Sequence, residues 1–121
     1  MGRARYVPRR LLVIEPEPFA TAEEAWLWYA QCQMARLAGG RLRADMATVP
    51  RPCDPDDIHR EVMRLRRRGV LLVAHLRVLA EWGSRLTAGT LAAPGPEEQE
   101  SLWREALDRL ETSLKSKGIV A

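Results

Sequence analysis

The stretch from Asp54 to Gly83 constrains this chain most, because it writes out start and stop signals for two consecutive helices in the right order. Asp54 is a good N-cap and Pro55 suits the first helical position, where its missing N–H costs nothing. Asp56 and Asp57 fall where the positive end of a helix dipole favours anions. Ile58, Val62 and Leu65 then share one face at i, i+4 and i+7, and Gly69 offers a left-handed residue just past the end. Arg60, Arg64, Arg66, Arg67 and Arg68 occupy the remainder. A second apolar series, Leu72, Leu76 and Leu79, runs to Trp82 and is predicted to stop at Gly83. The expectation is a central helical hairpin with a basic first arm.

Two more helices follow from the same signals. Thr21 opens a capping box with Glu24, and the segment from Trp26 through Trp28, Tyr29, Cys32 and Leu37 reaches a stop at Gly39-Gly40. Phe19 or Ala20 is placed to staple its first turn. The last helix is predicted from near Pro96 to Lys117-Gly118, with Leu102, Trp103, Ala106, Leu107, Leu110 and Leu114 on one face. Its outer face holds Glu100/Arg104, Glu105/Arg109 and Glu111/Lys115, each an acid four residues before a base, and reads as a solvated surface. Ile119 is set for the apolar contact that closes a Schellman cap.

Residues 1–20 carry three prolines and no helical period, so they read as an extended arm pinned to the core through Tyr6, Val7 and Leu11 to Ile14. Residues 41–53 form a long connection, and Leu86 to Gly95 reads as a linker. The fold class expected is all-α: one compact four-helix domain over 21–121 with an extended arm over 1–20, the hairpin packed against the first and last helices. A chain of 121 residues is long enough to bury such a core without metal or disulfide help. Its purely apolar runs, Leu11 to Ile14 among them, are far too short for a membrane span, and no secretory or myristoylation signal is legible, which points to a cytoplasmic location.

Net charge is only +3, but 17 of the 19 basic residues are arginine, concentrated in the first two-thirds of the chain. That asymmetry suits a surface for nucleic acid or an acidic protein, and it equally suits GC-rich codon usage. The arginines of the hairpin arm supply flexible cations for phosphate, while base readout lacks support, since the chain has no Asn. For protein partners the notable feature is four tryptophans. Trp26 and Trp28 stand about 200° apart around a helix axis and cannot both face one core, so one of them is a candidate interface anchor or packs beneath the arm.

Catalytic and metal chemistry find little. Cys32, Cys53, His59 and His75 show no Cys-x-x-Cys and no His four residues from another ligand, so no metal and no cofactor are expected. Cys53, just ahead of a helix N-terminus, is the one thiol whose pKa could be depressed there, with His59 as its only nearby base. His75 reads as a partly buried histidine bonded to a carbonyl. Gly39-Gly40 ends a helix where a phosphate loop would begin one.

Two segments resemble those of a family of small, uncharacterised bacterial proteins: Arg51-Pro52-Cys53-Asp54-Pro55-Asp56-Asp57-Ile58, and Leu102-Trp103-Arg104-Glu105-Ala106-Leu107-Asp108-Arg109-Leu110 closing with Lys117-Gly118-Ile119-Val120. Glu23-Glu24-Ala25-Trp26-Leu27-Trp28 also fits. The resemblance implies a compact helical fold and no established activity. Ile58 through Leu86 is also faintly similar to the helical region of sigma-factor-like and phage antitermination proteins, which the chain leaves after Gly83. The reading favoured by the sequence is a non-catalytic helical module binding a protein partner or a second copy of itself through Trp26 or Trp28. The alternative is a nucleic-acid-associated protein, transcription-related, using Arg60, Arg64, Arg66, Arg67 and Arg68.

Overall fold

The structure, a computed structural model, describes residues 15–39, 50–89 and 97–121. The described residues form four helices: α1 (Ala22–Leu37), α2 (Pro55–Arg67), α3 (Val73–Ala88) and α4 (Glu97–Ser116). Each of α2 and α3 lies against both α1 and α4, while the two hairpin arms touch each other little. The all-α, four-helix expectation therefore holds, with a hairpin splayed across the other pair. The core is filled by Ile58, Val62 and Leu65 of α2, Val78, Leu79 and Trp82 of α3, and Trp103, Leu110 and Leu114 of α4, all buried. No described helix is long and apolar enough to cross a membrane.

Helix ends follow the sequence signals closely. Thr21 Oγ1 accepts the Glu24 N–H at 3.1 Å. The Glu24 carboxylate in turn accepts from the Ala20 N–H at 2.8 Å, one residue earlier than a capping box would have it. At α2, Asp57 accepts the Asp54 N–H at 2.9 Å. Gly69 (φ +78°) ends that helix with the Val70 N–H bonded to the Leu65 carbonyl at 2.9 Å, the Schellman pattern. Past α4, Ile119 is buried and its N–H donates to the Leu114 carbonyl at 3.0 Å, as expected.

One boundary is corrected. α3 does not stop at Gly83 but continues to Ala88, and its left-handed terminus is Gly89 (φ +74°). Gly83 has a different role: a Cβ there would stand 2.7 Å from Trp26 Nε1, so the small residue admits the indole of α1 against α3. Leu86 to Ala88 are thus helical instead of linker, and residues 90–95 of that linker lie outside the described residues.

Of the N-terminal arm, Tyr6, Val7 and the Leu11 to Ile14 run lie outside the described residues, as does most of the 41–53 connection. What is described is pinned firmly. Phe19 is fully buried and forms an isolated parallel bridge with Val120; its N–H donates to the Ile119 carbonyl at 2.9 Å and its carbonyl accepts the Ala121 N–H at 2.8 Å. Arg51 covers the Phe19 ring at 4.1 Å and donates to the Glu17 carbonyl at 3.1 Å. This arginine of the basic two-thirds is therefore a structural clamp.

Candidate functional site

The five arginines of α2 and its cap do not form one surface. At about 100° per residue, Arg60 and Arg67 top the exposed side, Arg64 and Arg68 lean toward α4, and Arg66 stands about 160° from Arg64, on the other flank. Arg60 pairs with Asp57 at 2.8 Å on its own helix. Arg66, Arg67 and Arg68 have no ion-pair partner among the described residues.

Arg64 is tied inward. Its guanidinium donates to the Glu61 carboxylate through Nε at 3.0 Å and through a terminal nitrogen as well. That terminal nitrogen also lies 3.3 Å from Ser113 Oγ, and Ser113 donates its hydroxyl to the same Glu61 oxygen. Glu61 is only 6% exposed, a buried acid that joins α2 to α4. Burial pushes its pKa up, but hydrogen bonds from Arg64 and Ser113 and the charges of Arg64 and Lys117 outweigh that and hold it below the ordinary carboxylate value. Glu61 was legible in the pattern: Ile58, Glu61, Val62 and Leu65 complete an i, i+3, i+4, i+7 stripe, and the acid fills its i+3 position.

The end of α4 brings in a cation that sequence reasoning left aside. A groove of about 370 Å³ is walled by Arg60, Arg64 and Arg67 on one side and by Lys117, just past α4, on the other. Asp57 and Glu61 also line it, already paired with Arg60 and Arg64. Arg67 and Lys117 form no ion pair among the described residues, and Arg60 stands exposed beside them. Lys117 could not be assigned to this face from sequence, because the antiparallel approach of α4 to α2 brings it there.

The aromatic candidates fare differently. Trp26 is 7% exposed and donates its indole N–H to the Leu79 carbonyl at 2.8 Å, so it is a core residue and not an interface anchor. Its period-opposed partner Trp28 is half-buried with its ring 5.2 Å from that of Phe19, beneath the arm. Large apolar exposure in α1 falls instead on Met34 and Leu37, the latter 89% exposed.

Nor do the cysteines and histidines assemble a nucleophile. His59 Nδ1 lies 3.1 Å from the Tyr29 hydroxyl, with the two rings stacked, and is not bonded to Cys53. The Cys53 thiol is pushed up to about 11 by burial and by the Asp57 and Asp54 charges, against the downward pull of Arg51. The helix N-terminus does not win there, because burial first and the charges of its own acidic caps second oppose the thiolate. Both cysteines are free thiols, and no metal-ligand cluster exists among the described residues. His75 is 1% exposed and bonds neither nitrogen to a carbonyl: Nδ1 accepts the Leu72 N–H at 2.9 Å and Nε2 donates to Glu105 at 2.7 Å. It caps α3 and ties it to α4.

No protein-family model, no curated protein and no solved structure matches the chain.

Proposed function

We propose that the chain is a non-catalytic helical module that binds the phosphate backbone of nucleic acid along the groove between α2 and the end of α4. The observation that carries this reading is the convergence of Arg60, Arg64 and Arg67 with Lys117, from two different elements, on one groove. Phosphate contacts need cations on an exposed face; two of these four, Arg67 and Lys117, form no ion pair among the described residues, and Arg64 is held in place by Glu61. With no Asn in the chain, binding is weakly sequence-specific and strongly salt-dependent. An electrophoretic shift with nonspecific duplex tests it. Retardation at low salt that fades at moderate salt is expected, with Lys117→Gln or Arg67→Gln each lowering the salt slope by about 1. No retardation at low salt rules the reading out.

A second reading, engagement of a protein partner or a second copy, draws on the half-buried Trp28 and on the exposed Met34 and Leu37 at the end of α1. Light scattering at high concentration, with Leu37→Ser and Trp28→Ala, separates it. A monomer throughout removes the homodimer.

A further inference from the structure

A second depression, of about 420 Å³, opens between the C-terminal part of α2 and α4, and it shares only Arg64 with the groove above. Its volume lies within the range of small-molecule pockets, roughly 300–1,000 Å³. The lining of this hollow mixes two chemistries, and that mixture selects a ligand.

Part of the lining is cationic. Arg68 caps α2 with an exposed side chain, and Arg109 reaches in from α4. Arg109 is pre-organised, since one terminal nitrogen donates to the Val70 carbonyl at 2.9 Å and the other stands 3.3 Å from the Glu105 carboxylate. Arg64, fixed by Glu61, completes this part. Guanidinium groups held in place bind a phosphate with less ordering cost than free ones.

Another part accepts. The Thr112 hydroxyl donates to the Asp108 carbonyl at 3.4 Å and the Ser116 hydroxyl to the Ser113 carbonyl at 2.8 Å, so both present lone pairs to a ligand. Asp108 also lines the hollow, and Leu65 and Val70 add apolar surface. A bare phosphate satisfies the guanidinium groups alone and faces repulsion from Asp108. A phosphomonoester whose body carries hydroxyl groups satisfies both, in the way an acidic side chain receives ribose hydroxyls in nucleotide sites.

We infer that this depression binds a small phosphomonoester with a hydroxyl-bearing body, of the nucleoside monophosphate class, its phosphate on Arg68 and Arg109 and its hydroxyls on Asp108. This site is independent of nucleic-acid binding, and the two fail separately: a chain that never retards duplex can still take up the nucleotide.

Isothermal titration with AMP, adenosine and inorganic phosphate tests it. One saturable AMP site is expected, tighter than either fragment. Arg68→Gln should weaken AMP roughly tenfold or more. Asp108→Asn should weaken AMP while strengthening inorganic phosphate, an opposite-signed pair that a merely structural role would not produce. Arg67→Gln, which lines only the neighbouring groove, should leave AMP unchanged. Arg68 and Asp108 are exposed, so both variants keep the fold, which circular dichroism checks. The proposal is overturned by an absence of AMP saturation in the millimolar range, by phosphate binding as tightly as AMP, or by equal losses from Arg67→Gln and Arg68→Gln.

Discussion

The indole of Trp26 lies directly on Gly83, so close that a side-chain methyl at that glycine would stand 2.7 Å from the ring nitrogen. Gly83→Ala would ordinarily favour a helix interior by about 1 kcal/mol. Overpacking against a rigid indole that is itself bonded to the Leu79 carbonyl costs about 1–3 kcal/mol, and the clash wins. Chemical denaturation should show Gly83→Ala destabilised, and Trp26→Phe combined with it should be less destabilised than the two single changes summed.

Glu61 carries the acid sensitivity of the α2–α4 contact. Its folded pKa lies below its ordinary 4.5, so its contribution is complete above that value and is lost as pH falls through the folded one. Glu105 behaves likewise, lowered by its hydrogen bond from His75 and by the Arg109 charge. Thermal melts from pH 6 downward should lose stability in the parent chain, with a visibly shallower pH dependence in Glu61→Gln. At neutral pH, Glu61→Ala should cost about 1–3 kcal/mol, because Ser113 and Arg64 lose their common acceptor. An unchanged acid limb in Glu61→Gln would contradict the assignment.

His75 holds the start of α3 rather than a proton-transfer site. His75→Leu keeps apolar bulk but removes the acceptor of the Leu72 N–H and the donor to Glu105. A loss of about 1–3 kcal/mol is expected, with amide exchange accelerating first at the N-terminal turn of α3. Uniform acceleration along the chain would argue against a capping role.

Cys53 should be a slow thiol. With its pKa pushed up to about 11, only on the order of a thousandth is thiolate at pH 8. Iodoacetamide labelling followed by mass spectrometry should therefore lag far behind a free thiol and climb steadily to pH 10. Asp57→Asn, which removes a charge that raises this pKa, should speed labelling; rapid modification of the parent at neutral pH would overturn the assignment.

Much of the architecture was legible because its signals are local. Asp54-Pro55, Gly69 and the Gly118-Ile119 cap act within a turn or two, and each does what its residue type dictates. The misreading at Gly83 has a nonlocal cause: glycine as a terminator and glycine as a contact surface look alike until the residue opposite is known. The same holds for Glu105 and Glu111. Both make the expected i, i+4 pairs with Arg109 and Lys115, yet Glu105 also receives His75 and Glu111 also accepts the Ala22 N–H at 3.0 Å. Helical spacing identifies the pair on one helix but carries no trace of the neighbour. For the basic face, composition pointed to α2, but only the crossing of α4 shows which arginines stand with Lys117 and which, like Arg66, stand apart.

The bridge between Phe19 and Val120 has a kinetic meaning. It joins residues separated by most of the polypeptide, and the buried phenyl ring is enclosed from the far end. During synthesis that socket cannot close until residue 120 has left the ribosome, so the Phe19–Val120 contact forms only after α1 and α2 have been made.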